Sequence, residues 1–177
     1  EWAMPDPSKR YVELLTELEF RSFLDQIGGV KVEKRKTDYK TILTKKDLSS
    51  VVSSIKKSGK ASIDTETTGL DPYSAELVGI SLSWKKDQAV YIPLMGTDDF
   101  SPLPLDVVVE QLSPILSSEK TEWIAHNWGF DYRILKQQGF EVRPIGFDTM
   151  IAAYLINPDR KSVGLKALSL ECLNIQM

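Results

Sequence analysis

Ala61-Ser62-Ile63-Asp64-Thr65-Glu66-Thr67-Thr68-Gly69 sets two carboxylates one residue apart at the end of a short apolar run. Residues i and i+2 of a strand share a face. Asp64 and Glu66 therefore project together, and Ala61, Ile63 and Thr65 project the other way. Two acids side by side repel, and a hard divalent cation with oxygen ligands relieves the repulsion. The pair alone also fits a solvated strand edge, because a two-residue motif is weakly specific. The small and apolar residues before it make the strand central. Thr67-Thr68-Gly69-Leu70-Asp71-Pro72 after it is turn chemistry. Carboxylates at the exposed end of a buried strand are well placed to bind a ligand.

The 177 residues suffice for one domain with a sizeable core and an appendage. With 42% hydrophobic and 27% charged residues, the composition is that of a globular chain. No apolar run approaches the roughly 18 residues of a membrane span, so no membrane partner is expected. Residues 1–7 lack the basic and apolar regions of a signal peptide. The single cysteine, Cys172, excludes an internal disulfide and agrees with a reducing compartment. It falls in an apolar helical pattern and is expected in the core. One histidine rules out a His-rich zinc site. Residues 1–60 carry 13 basic and 9 acidic side chains, and residues 61–177 carry 9 and 16. So acidic a module is a poor general nucleic-acid binder, since phosphate contacts dominate that affinity. Any nucleic acid it handles should meet it at one small, metal-bridged site.

Apolar spacing predicts an amphipathic helix over residues 8–27, capped by Ser8 and stopped by Gly28-Gly29. Lys31 to Lys40 reads as a basic connector. The domain starts near Tyr39, with a short strand to Leu43 and a helix from Lys46 to Lys57. Glu76–Trp84 and Gln88–Pro93 read as two strands joined by Lys85-Lys86-Asp87. Helices are expected over Leu105–Leu116, Trp128–Gln138, Asp148–Asn157 and Val163–Leu173, with a short buried strand over Glu122–His126. Strands followed by alternating helices and strands imply an α/β fold, a mixed sheet covered by helices.

Ala125-His126-Asn127-Trp128-Gly129-Phe130-Asp131 is the second informative run. Asn127 sits at a cap position, and Asp131 lies in the first turn of the helix, where its charge suits the dipole. Asp64-Thr65-Glu66-Thr67-Thr68-Gly69-Leu70 with Asn127-Trp128-Gly129-Phe130-Asp131 resembles the first two motifs of the DEDD 3′→5′ exonucleases. More narrowly, the chain resembles the proofreading exonuclease domain of family A DNA polymerases, the bacterial DNA polymerase I group. Leu14–Leu24, Val90–Leu94, Phe147–Leu155 and Gly164–Leu173 support the narrower match.

The resemblance implies a ribonuclease-H-like fold, a mixed five-stranded sheet flanked by helices, over residues 39–177, with residues 1–38 as an N-terminal helical appendage and connector. It implies catalytic, metal-binding roles for Asp64, Glu66 and Asp131, with two Mg²⁺ or Mn²⁺ ions in the complete site. It places Thr65, Leu70, Asn127 and Phe130 at the substrate, Leu70 as a wedge against the terminal base. The implied partners are a single-stranded DNA 3′ end and the polymerase domain of a parent chain, in a bacterial cytoplasm.

One motif of the resemblance is missing. The third, Tyr-X-X-X-Asp on a later helix, has no match: Tyr154 is followed at i+4 by Pro158. The fourth acid and the tyrosine that orients the attacking water are absent, so this polypeptide alone is expected to be weak or inactive. Asp148 does not replace them, because its place at a helix start is that of an N-cap. His126 is expected behind the site or in the core. Two other readings stay open, a catalytically silent exonuclease-like domain beside a polymerase and a ribonuclease D-like exonuclease.

Overall fold

The strand that carries the acidic pair, β2 (Lys60–Thr67), sits inside a six-stranded mixed sheet in the computed structural model. The structure describes residues 9–18, 20, 23, 37–96, 100–143, 146–173 and 175. The other strands are β1 (Asp38–Thr41), β3 (Leu77–Lys85), β4 (Gln88–Pro93), β5 (Glu122–Ala125) and β6 (Phe147–Asp148), in the order β1-β4-β3-β2-β5-β6. The neighbours of β2 are antiparallel β3 and parallel β5. The expected mixed sheet is therefore present, with six strands where five were anticipated. The sixth is β6, whose two residues pair in parallel with Ile124 and Ala125. Asp148 must be extended to cap the helix after it, with φ −110° and ψ 115°, and that extended backbone completes the ladder.

Helix α2 (Lys45–Ser58) begins at Thr44, whose hydroxyl accepts the Asp47 N–H at 3.1 Å. It ends at Gly59 with φ 70°, a left-handed cap that glycine adopts without steric cost. Leu48, Val51, Val52 and Ile55 recur at helical spacing and form its buried stripe. In helix α3 (Leu105–Leu116) the stripe is Val108, Leu112, Ile115 and Leu116. Both stripes join Ala61 and Ile63 of β2, and Ile134 and Leu135 of helix α4 (Trp128–Gln137), in one core. Exposure alternates along β2 as the sequence predicts: Ala61, Ile63 and Thr65 are buried, while Asp64 and Glu66 are open.

The face that bears Asp64 and Glu66 is only half covered. Ser62, Asp64, Ser81 and Ser83, with His126 and Leu165, line a half-open cleft of about 250 Å³ there. Helix α5 (Thr149–Ile156) leaves Ile151, Tyr154, Leu155 and Ile156 exposed. No helix among the described residues is long and apolar enough to cross a membrane.

Residues 35–168 form one compact unit, and residues 1–34 with 169–177 form a second. In the second unit, α1 (Lys9–Glu17) covers the first part of the helix expected over 8–27. It buries Leu15 and leaves Leu14 exposed, as is Leu18 just after it. Its expected cap Ser8, its expected stop Gly28-Gly29 and residues 31–36 of the connector lie outside the described residues. Cys172, expected in the core, is exposed instead. Helix α6 (Leu165–Leu173) buries Leu168 and Ser169 and turns Glu171, Cys172 and Leu173 outward.

The core assignment has a direct check. Leu112→Ala should cost about 3 kcal/mol in urea unfolding, because it opens a cavity at a fully buried position. Leu155→Ala, on the exposed side of α5, should stay within about 0.5 kcal/mol. Equal costs for the two would contradict the packing described.

Candidate functional site

Strand β2 outruns its parallel neighbour. Pairing with β5 stops at Ser62–Ile124, so the next amides of β2 on that side need another acceptor. Asp131, in the first turn of α4, supplies one. Its Oδ1 accepts the Thr65 backbone N–H at 3.0 Å and the Thr65 hydroxyl at 2.5 Å. A side chain on the helix thus takes the ladder position that β5 has vacated. Asp131 is only 3% exposed, and its two donors are what make so buried a carboxylate tolerable.

On the other side of β2, regular pairing with β3 ends at a bulge directly after Glu66. Bulges re-aim side chains and terminate pairing beside functional sites. Here the bulge opens the strand end just past the acidic pair. The turn that follows is tied by its own side chains. The Glu76 N–H donates to the Thr68 hydroxyl at 2.9 Å, and Asp71 accepts from the Tyr73 N–H and the Ser74 hydroxyl at 3.1 and 2.8 Å. Held on that turn, Leu70 is 94% exposed.

The electrostatics tie the three acids together. Burial first and the Glu66 charge second raise the Asp64 pKa, and His126 partly offsets them. Burial pushes Asp131 up to about 6; the Thr65 hydroxyl and amide oppose the rise, and the Asp64 charge adds to it. Asp64 thus feels Glu66 on one side and is felt by Asp131 on the other. Asp64 and Glu66 share the open face, whereas Asp131 stands against Thr65 of the buried face. No group of three or more His, Cys, Asp or Glu side chains among the described residues is placed to hold a metal ion.

Asn127 occupies the N-cap position of α4 in the left-handed region, φ 65°, and its side chain makes no capping bond. Asp148 does the capping. Its two oxygens accept the Asn127 and Trp128 amides at 3.2 and 2.8 Å and the Met150 and Ile151 amides of α5 at 2.8 and 3.3 Å. Burial raises its pKa, but these four donors outweigh burial, and the net shift is downward. The N-cap role expected of Asp148 is therefore present, and the same carboxylate also fastens the start of α4. Nothing in residue spacing announces that second task, since the two helix starts lie some twenty residues apart. The Asn127 side chain is left exposed beside the site.

Phe130 is half-buried and packs on the core. Thr65, expected near the substrate, is turned to the buried face and spends both its donors on Asp131. His126 is half-buried, its Nδ1 2.9 Å from the Thr149 hydroxyl, which itself donates to the Ala125 carbonyl. A hydroxyl has one hydrogen, so Nδ1 is the donor to Thr149. That nitrogen is occupied in holding α5 to the end of β5.

Comparison with known proteins places this arrangement. A family model described as 3′–5′ exonuclease matches residues 39–177. DNA polymerase I of Borreliella burgdorferi is 40% identical over 138 residues, 78% of this chain and 15% of that protein. DNA polymerase I of Chloroflexus aurantiacus is 36% identical over 122 residues, 69% of this chain and 12% of that protein. The chain thus spans only about a seventh of the length of these relatives. Among solved structures, Escherichia coli RNase D superimposes with a TM-score of 0.63 at 21% identity, covering 80% of this chain and 35% of that one. Brucella melitensis NrnC with bound Mg²⁺ gives 0.60 at 22%, covering 81% and 64%. At those identities the structural likeness speaks for the fold alone, while the family match and the polymerase relatives speak for descent. This chain belongs to the 3′–5′ exonuclease family carried by family A DNA polymerases.

Proposed function

We propose that the chain acts in proofreading, removing 3′-terminal nucleotides from single-stranded or frayed DNA beside the polymerase domain of a parent DNA polymerase I in a bacterial cytoplasm. The observation that carries this reading is the three-acid corner at the end of β2, with Asp64 and Glu66 on the open face and Asp131 fastened behind them through Thr65. Its donor set fits a hard divalent cation in kind: oxygens only, with burial and then the Glu66 charge raising the Asp64 pKa, and burial and the Asp64 charge raising that of Asp131. Asp64, Glu66 and Asp131 would hold Mg²⁺ or Mn²⁺, two ions in the complete site, as metal ligands. Bound there, such ions lower the pKa of an attacking water and offset charge on the leaving 3′ oxygen.

The chain's own residues do the positioning. Thr65 keeps the Asp131 carboxylate aimed by two hydrogen bonds to one oxygen, which leaves the other for a ligand. Leu70, apolar and fully presented, is suited to wedge against a terminal base, and such a contact requires an unpaired end. Asn127, released from capping by Asp148, has its side-chain amide available for the sugar or phosphate of the terminal nucleotide. Phe130, braced on the core one residue before Asp131, offers an edge to the same nucleotide.

The polypeptide lacks Tyr-X-X-X-Asp, so its activity alone should be low. Retention of the three acids favours a working nuclease over a silent domain. The polymerase relatives favour DNA over the substrates of ribonuclease D.

A 3′-labelled single-stranded oligonucleotide with millimolar Mn²⁺ tests the site. Slow release of mononucleotides is expected, and Asp64→Asn or Glu66→Gln should cut it by about a hundredfold or more, the usual cost of removing a group that stabilises transition-state charge. Variants as active as the parent would sink the assignment, and fast digestion by the parent would refute the expected weakness.

The acid corner also predicts a pH dependence in the absence of divalent ions. The folded chain keeps the Asp131 proton up to about pH 6, whereas the ordinary carboxyl releases it near 3.8. Between those values the folded state binds more protons, so this group's contribution to stability falls as pH rises through the window. Asp131→Asn should therefore match the parent near pH 4 and exceed it by on the order of 2 kcal/mol above pH 7. A difference that does not change with pH in chemical unfolding would contradict the burial of an ionisable carboxylate there.

A further inference from the structure

Tyr91 of β4 lies on the half-open face of the sheet, between the buried Val90 and Ile92. Its direct partner across β3 is Ser81, and Gly79 is the diagonal neighbour two residues along. Gly79 in turn pairs with Glu66 of β2. The Tyr91 ring follows that diagonal. A Cβ at position 79 would stand 2.2 Å from the phenolic oxygen and 2.4 and 2.5 Å from ring atoms Cζ and Cε2. Any residue but glycine would push the ring away, so Gly79 is a slot cut in β3 for this side chain. The slot carries the hydroxyl across β3 to the row of Glu66. Burial, and then the Glu66 charge, raise the phenol pKa, so the hydroxyl lies within electrostatic reach of that carboxylate, though no hydrogen bond joins them here.

We propose that Tyr91, seated over Gly79, is a positioning residue for Glu66, its hydroxyl steering one carboxylate oxygen so that the other faces a bound divalent cation. The proposal rests on the metal-site reading of Asp64 and Glu66 given above. A phenol suits the task. It donates one hydrogen bond to an anion and adds no charge that would compete with the cation. The glycine restricts where the ring can go, so the donor is placed in advance by the sheet itself.

The test uses the 177-residue chain with tyrosine ring carbons labelled and Mn²⁺ as the probe. The Tyr91 signal, identified as the one lost in Tyr91→Phe, should shift in Glu66→Gln without metal and broaden when Mn²⁺ is added to the parent. Mn²⁺ affinity, read by electron paramagnetic resonance, should fall about tenfold in Tyr91→Phe, the scale of one hydrogen bond to a charged group. Gly79→Ala should give a similar loss by displacing the ring, and the double variant should lose no more than either single one. Circular dichroism of Tyr91→Phe should match the parent, since the ring still fills its slot.

A Tyr91 signal indifferent to Glu66→Gln, or to Mn²⁺ in the parent, overturns the proposal. So does an affinity unchanged in Tyr91→Phe while Asp64→Asn abolishes binding, which would leave the metal site standing and remove only the positioning role. If Asp64→Asn also binds Mn²⁺ as the parent does, the metal-site reading itself fails, and the role of Tyr91 falls with it.

Discussion

The site depends on a strand that is longer than its neighbour. Once β5 ends, the backbone of β2 must find acceptors elsewhere, and a buried amide left unpaired would cost about as much as any single interaction in the fold contributes. Asp131 meets that need at Thr65, which gives the carboxylate a structural reason to be buried at this spot. The same bond sets where α4 begins relative to β2. It also brings a third acid within reach of the charge on Asp64. One hydrogen-bonding requirement therefore fixes both a helix position and the electrostatic character of the site.

Asp131 and Asp148, two carboxylates at helix starts, end up in opposite electrostatic states, and their surroundings explain why. Asp148 accepts four backbone amides from two helix starts, and its pKa falls. Asp131 accepts one amide and one hydroxyl from Thr65 in a drier place, next to Asp64, and its pKa rises to about 6. Helix N-termini stabilise the first charge at no cost in cations. The second charge is left under-compensated by the protein. That contrast separates a carboxylate fully satisfied by the fold from one that is not, and it is invisible in residue type alone.

Much of the fold was legible because its signals are local. The alternation of β2, the hairpin of β3 and β4 about Lys86-Asp87, and the end of α2 at Gly59 each follow from side-chain period or backbone preference within a few residues. The acids Asp64 and Glu66 were legible for the same reason, and Asp131 only through its motif. What stayed hidden was tertiary. β6 is two residues long and has no period of its own to read. Asn127 sits at a cap position, yet the cap comes from Asp148. Residue spacing turns Thr65 away from the acidic pair but does not reveal that its two donors meet Asp131. Cys172 lies in an apolar pattern, but such a pattern does not say which side of a short helix will be covered.

Charge distribution limits what kind of recognition this corner can perform. Residues 61–177 carry more acidic than basic side chains, so the surface around the site gains little from a phosphate backbone. A duplex laid across it would meet repulsion without compensating contacts. A single terminal phosphodiester is different: under the function proposed above it needs only local neutralisation, which a cation held by Asp64 and Glu66 would supply, and an unstacked base to meet Leu70. In that proposal, excess acidity weakens attraction to nucleic acid in general, and a cation bound at the corner would restore it for one phosphate alone.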